Sequence, residues 1–198
     1  MSAVEASTVE AFTRILRATQ SNPLEGIAFR AVQEKYRESP LSAVGSIRVG
    51  GRYNPKGMFE ALYLAETAQS ALSEVAFGIT SGGKFINTPH SPYIVLSITF
   101  FLQKVLRLEE QLTRLGLIPE QLAMPWRPIQ QSGGLALTQA LGIAARETGL
   151  EGLVVPSRFS QNIHNLVVFV DNLEPTSSIE VVNPAGGLTA RLEKRTQR

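Results

Sequence analysis

Hydrophobic residues recur along this 198-residue chain at two periods, and the period changes several times. Near the start, Phe12, Ile15 and Leu16 fall on one helical face, with Ser7 and Glu10 ahead of them at S-x-x-E spacing. That pattern predicts a short amphipathic helix ended by Asn22-Pro23. From Gly26 to Val32 the period drops to two, with Ile27, Phe29 and Ala31 on one face and Ala28, Arg30 and Val32 on the other. The polar stretch Gln33 to Val49 predicts a long loop. Ala61 to Ala65 (ALYLA) predicts a short strand, and Thr67 an N-cap for a helix from about Ala68 to Ile79. Ala68, Ala71, Leu72, Val75 and Ile79 share that helix's apolar face, and Glu74 projects from its flank. Ser81-Gly82-Gly83 breaks the helix.

Further on, Tyr93 to Phe100 is an apolar, β-rich run that predicts a central strand, and Val105 to Leu108 a second short one. Glu109 to Leu115 reads as helical, with Gly116 as its stop. Pro119 to Gly134 reads as a loop holding the only tryptophan, in MPWRP. Leu135 to Thr148 is a clear helix stopped by Gly149, and Gly152 to Pro156 a buried strand. A polar loop runs from Ser157 to His164, Asn165 opens a strand (NLVVFV), and Ile179 to Val182 is the last. From Asn183 the chain is polar and basic, the pattern of a frayed tail. Neither an internal repeat nor a linker interrupts it. Helices and strands mix without regular βαβ alternation, which predicts an α+β fold in a single compact domain.

Composition narrows the chemistry. Hydrophobic residues make up 43% and charged residues 18%, below the usual ~25%, a faint sign of surface covered by a partner. A net charge of +2 implies no strong field for nucleic acid or an anionic membrane. The absence of cysteine removes disulfides, thiolate metal sites and a cysteine nucleophile, and suits a reducing cytoplasm. No apolar run approaches the ~20 residues that span a bilayer, and acidic Glu5 and Glu10 argue against a secretory signal. His90 and His164 lack metal-ligand spacing, so no metal site is expected. There is no P-loop, no dinucleotide-binding glycine fingerprint, and no G-x-S-x-G around Ser157.

The densest run of unusual residues is Gly50 to Val75, GGRYNPKGMFEALYLAETAQSALSEV. Two glycines lead directly into a cation, a ring and an amide, and Pro55 and Gly57 hold the segment as a turn. Arg30, Arg52, Tyr53, Tyr63, Glu74, Ser157 and Asn165 all fall at strand ends or in adjoining loops and helices. Together they offer cations for a phosphate, rings for stacking, one carboxylate and small hydrogen-bonding groups. That set suits an anionic, aromatic, sugar-bearing ligand such as a nucleotide. Each is equally readable as a solvated or capping residue, and Arg30 as an edge-strand arginine whose head reaches solvent. Arg48, Arg52 and Tyr53 would also serve RNA, but no basic stripe accompanies them.

The run GGRYNPKG…ALYLAET…ALSEV resembles the signature of the RES-domain family, toxin halves of bacterial toxin–antitoxin pairs named for a characteristic Arg, Glu and Ser. FRAV, MPW, LTQALG, LVVPS and NLVVF resemble its other motifs, so the likeness runs from about Gly26 to Val170. Tyr53 stands where the family usually has tryptophan, and RFSQNIH, between Ser157 and Asn165, departs from the usual loop. The resemblance implies a fold similar to ADP-ribosyltransferases, with a mixed, split sheet and flanking helices. It divides the chain into a helical segment 1–25, a RES domain 26–182 and a tail 183–198. It implies attack on NAD as substrate, by hydrolysis, phosphorolysis or transfer to a protein, with no resident cofactor. By position it implies catalytic roles for Arg30, Glu74 and Ser157, and substrate contacts from Arg52, Tyr53, Tyr63 and Asn165. It further implies a cytoplasmic enzyme held by an Xre-type helix-turn-helix antitoxin, with room for self-association and no direct membrane or nucleic-acid contact. Glu74 is the group such chemistry needs most, because nicotinamide leaves as a neutral ring while its ribose acquires positive charge.

Overall fold

The apolar runs become strands of one mixed sheet, in a computed structural model that describes residues 2–80, 92–157, 160–182 and 189–192. The strands are β1 (Asn22–Gln33), β2 (Ala61–Ala65), β3 (Tyr93–Arg107), β4 (Gly152–Ser157), β5 (Ser160–Phe169), β6 (Ser178–Val182) and β7 (Arg191–Leu192). The helices are α1 (Ala3–Arg17), α2 (Val44–Val49), α3 (Ala68–Thr80), α4 (Leu112–Leu115), α5 (Pro119–Ala123), α6 (Trp126–Gln131) and α7 (Leu137–Glu147). Among the described residues the sheet order is β1-β2-β5-β4-β3-β6-β7, and β1 also pairs with β3. The ladder therefore closes on itself through β1, β2, β5, β4 and β3. This is the α+β fold that the sequence pattern predicts, with the mixed, split sheet that the family resemblance implies.

β3 causes the split. One of its edges runs antiparallel to β1 from Tyr93 to Val105. The other pairs with β6 over Ser97 to Phe101 and then, in parallel, with β4 over Val105 to Arg107. Between those partners the Gln103 and Lys104 amides donate to the carboxylate of Glu151, the Lys104 bond at 2.8 Å. That carboxylate is fully buried and also accepts the Glu174 amide at 2.7 Å. A side chain thus fills the gap in the backbone ladder that the split opens.

Two cores lie on either side of the central strands. Leu62, Leu64, Val154, Leu166 and Val168 face one, with Ala28, Ile98, Leu102 and Ile179. Their alternates Ala61, Leu153, Val155, Val167 and Phe169 face the other, with Phe12 and Leu16 of α1 and Leu141 and Ala144 of α7. Burial on both faces is why these strands are continuously apolar instead of alternating.

Several sequence expectations need correction. The capping box of α1 is Ser2 with Glu5, one turn earlier than Ser7 and Glu10. Glu5 also accepts the Leu135 amide at 2.6 Å, which ties α1 to the approach of α7. Asn22-Pro23 begins β1 and does not end α1; proline is tolerated at a strand's first residues. Tyr93–Phe100 and Val105–Leu108 belong to one strand of 15 residues up to Arg107. Gln33 to Val49 contains a helical turn and α2, and Pro119 to Gly134 contains α5 and α6. These helices are too short for periodicity to show. β5 starts at Ser160, before Asn165. Leu72 is exposed, not part of the buried face of α3. Arg191–Leu192 pair with β6, so the chain after Asn183 is not wholly frayed. The Ser81-Gly82-Gly83 break, His90, Arg158 and the rest of the tail lie outside the described residues.

Candidate active site

The glycine-rich turn is built by polar contacts that sequence spacing does not reveal. Gly50 ends α2 at φ 77°, a conformation that favours glycine. Gly51 donates to the Asn54 carbonyl at 2.7 Å, closing the turn over Arg52 and Tyr53. Asn54 is fully buried. Its amide donates to the Ser46 and Phe59 carbonyls at 2.9 and 3.2 Å, and its Oδ1 accepts the Tyr63 hydroxyl at 2.8 Å. The same hydroxyl accepts the Tyr53 amide at 3.0 Å. Burial pushes both tyrosine hydroxyls well above the usual phenol range, so both stay protonated. On the far side, Gln139 of α7 donates to the Gly51 carbonyl at 3.1 Å and to Gln130 at 2.8 Å. Gln130 in turn donates to the Val49 carbonyl at 3.0 Å and accepts the Lys56 amide at 3.2 Å.

This turn forms one wall of a cavity of about 400 Å³, whose lining includes Arg30, Arg52, Tyr53, Tyr63, Glu74 and Asn165. Six of the seven candidates thus meet. Ser157 does not line it: it is buried at the end of β4, two positions past Val155, which does.

Arg30 sits on the same face of β1 as the buried Ala28 and Val32, so its head does not reach solvent. Nη2 donates to the Ser42 carbonyl at 2.9 Å. Nη1 is buried with no hydrogen-bond partner among the described residues. Burial pushes the guanidinium pKa down to about 10, still charged at neutral pH. Such an arginine is poised for an anion.

Glu74 comes from α3, whose N-terminus is capped as expected, with the Ser70 amide donating to Thr67 Oγ1 at 3.0 Å. Asn165 of β5 donates to Glu74 Oε1 at 3.0 Å, while its own Oδ1 is buried without a partner among the described residues. Asn165 is held in register between Ala65 of β2 and Val155 of β4. Beside it, His164 extends that ladder: its amide donates to Glu66 at 2.7 Å and its ring meets Glu109 at 2.8 Å. Among the described residues no group of three or more His, Cys, Asp or Glu is placed to hold a metal.

Arg52 behaves differently from Arg30. Its Nη1 donates to the Leu122 and Met124 carbonyls at 2.6 and 3.1 Å, anchoring the chain between α5 and α6. Two cavity residues, Trp126 and Arg127, follow on α6. The Arg127 guanidinium lies 4.8 Å from the centre of the Trp126 ring. Burial, then the nearby Arg52, lower its pKa, and Glu74 opposes them. Sequence reasoning missed Arg127, although it follows Trp126 in the MPWRP stretch. It also gave no role to Asn54, the amide of the glycine-rich run, to Gln139 of LTQALG, or to Gln130, because spacing does not show what their side chains bond.

A family model described as RES domain matches residues 27–190. A search of the curated proteins found no match. Among solved structures, a chain of the crystal structure of the M. tuberculosis MbcT-MbcA toxin-antitoxin complex is similar over 93% of each chain, at 22% identity and a TM-score of 0.64. At that identity the likeness establishes the shared fold.

Proposed function

The chain belongs to the RES domain family, and from that premise we propose that it is the toxin of a toxin–antitoxin pair whose cavity cleaves the nicotinamide–ribose bond of NAD. The observation that carries the reading is the pairing of opposites in one cavity. Glu74 is a single carboxylate braced by Asn165, and Arg30 is a buried cation with a spare donor. A dinucleotide needs both, an anion beside the ribose where positive charge develops and a cation for the pyrophosphate. The cavity volume, about 400 Å³, falls within the ~300–1,000 Å³ usual for ligand sites.

In this reading the nicotinamide leaves with the bonding electron pair as a neutral ring, and the ribose carbon gains oxocarbenium character. Glu74 stabilises that charge. An acceptor oxygen then bonds to the carbon and gives up its proton. Water as acceptor yields ADP-ribose, phosphate a phosphorylated ADP-ribose, and a protein side chain an ADP-ribosylated protein. The Tyr63 ring offers a flat apolar wall, its hydroxyl being engaged by the turn. The buried Ser157 acts from the edge of the site, through the β4 end that positions Val155 and Pro156. The setting is the cytoplasm, where an Xre-type helix-turn-helix antitoxin covers the mouth of the cavity. The exposed Val49, Met58 and Met124 around the glycine turn suit such a partner.

The test is nicotinamide release from NAD by the purified chain, with and without phosphate. Glu74→Gln keeps the shape and removes the charge, and is expected to slow release about a hundredfold or more in a folded protein. Expression alone should arrest growth and lower cellular NAD, and co-expression with the neighbouring antitoxin should restore both. Parental NAD levels and growth without a partner, together with no nicotinamide release in vitro, reject the proposal.

A further inference from the structure

Glu74 and Asn165 bond across the site, and the two segments that carry them are joined a second time outside it. Glu66 follows β2 and His164 precedes Asn165, which makes them the next pair in the ladder after Ala65 and Asn165. A hydrogen-bonded antiparallel pair ordinarily exchanges two backbone bonds. Here the Glu66 amide donates to the His164 carbonyl at 3.0 Å, but the His164 amide donates to the Glu66 carboxylate at 2.7 Å. A side chain stands in for the ladder carbonyl where the chain leaves β2 for α3. The imidazole adds to this joint. Its Nδ1 lies 3.5 Å from the same Glu66 oxygen, and its Nε2 lies 2.8 Å from Glu109, two residues past β3. A carboxylate only accepts, so Nε2 carries a proton and donates to Glu109.

We propose that His164, clasped by Glu66 and Glu109, is a positioning residue that sets the Glu74–Asn165 pair. The reaction it serves is the NAD cleavage proposed above, on which the inference rests; the geometry does not depend on the substrate. Thr67, next to Glu66, caps α3, and Glu74 stands two turns further along. Asn165 is next to His164. The clasp therefore fixes both segments between which the 3.0 Å bond from Asn165 to Glu74 Oε1 is made. The strand on the other side of Asn165 gives less support here, because the register of β4 with β5 shifts between Pro156 and Ser157. None of His164, Glu66 and Glu109 lines the cavity, so the effect passes through Asn165 and Glu74.

The experiment measures nicotinamide release by the full chain carrying His164→Ala, His164→Gln, Asn165→Ala, or His164→Ala together with Asn165→Ala, with a thermal melt of each. His164→Ala is expected to lower kcat about tenfold by loosening the geometry, with KM close to parental. The melting temperature should also stay close to parental, since the side chains of the clasp are partly exposed. His164→Gln is expected to recover most of the loss, because a glutamine amide reaches the Nε2 position and donates to Glu109. Once Asn165 is alanine, His164→Ala should cost nothing further, the mark of one residue acting through another. A second readout needs no substrate: solvent exchange of the Asn165 side-chain amide by NMR, expected to be about tenfold faster in His164→Ala than in the parent. A parental kcat in His164→Ala overturns the inference and leaves the NAD reading standing. So does a loss that adds in full to that of Asn165→Ala. If the parent releases no nicotinamide, the NAD reading falls and the amide exchange decides the clasp: faster exchange in His164→Ala sustains it, and parental exchange overturns it.

Discussion

Arg30 is where function and stability pull in opposite directions. Its charge is buried, one nitrogen has only the neutral Ser42 carbonyl, and the other has no partner among the described residues. With the folded pKa lowered to about 10, the unfolded chain binds that proton more tightly. The charged group therefore destabilises the fold at neutral pH, and the penalty fades only as pH rises through about 10. A bound anion removes the penalty directly. Arg30→Met fills similar volume without charge. Its melting temperature is expected to stay level or rise by a few degrees, since replacing a poorly paired buried charge by an apolar group is often neutral or stabilising. NAD affinity should drop about tenfold to a hundredfold at the same time. A melting temperature that falls sharply, with affinity intact, would make Arg30 a structural residue.

At the scale of elements, α7 and the glycine turn are in backbone contact. A Cβ added at Gly142 would overlap the Tyr53 carbonyl, so this glycine is required by close approach, not by its dihedral angles. Together with the Gln139 bond to Gly51, it sets how deep Tyr53 and Arg52 sit. Gly142→Ala should destabilise by about 1–3 kcal/mol through overpacking, or roughly 2–4 °C of melting temperature per kcal/mol in a chain of this size. By displacing the turn it should also weaken NAD binding. A parental melting temperature would show that the helix accommodates the methyl group.

At the scale of the whole molecule, closing the ladder through β1, β2, β5, β4 and β3 brings Arg30, Tyr63, Asn165 and Val155 around one cavity. Closure depends on β3 changing partners from β6 to β4, and Glu151 occupies that junction. Its buried carboxylate accepts three backbone amides, those of Gln103, Lys104 and Glu174. Glu151→Gln replaces one acceptor oxygen with a donor aimed at an amide. The expected loss is about 1–3 kcal/mol, read as a lower melting temperature, with nicotinamide release per folded molecule largely kept. An unchanged melting temperature would show that the junction is held by the strands alone.

Apolar periodicity by itself located β2, α3 and α7 to within a residue or two, and capping chemistry located Thr67 and Gly116. The motif-bearing run from Gly50 to Val75 also named Arg52, Tyr53, Tyr63 and Glu74, residues that do line the cavity. These were legible because the determining contacts are local: a cap reaches three residues, a helical face four, a strand face two. Tertiary structure decided the rest. Arg52 finds its carbonyls 70 and 72 positions away, Gln139 reaches Gly51 across 88, and Glu74 meets Asn165 across 91. Whether Arg30 pointed to solvent or to a cavity depended on what covered its face of β1, and no spacing along the chain encodes that. α2, α5 and α6 escaped notice for the same reason, because helices of five or six residues are stabilised by the contacts they make and not by their own sequence.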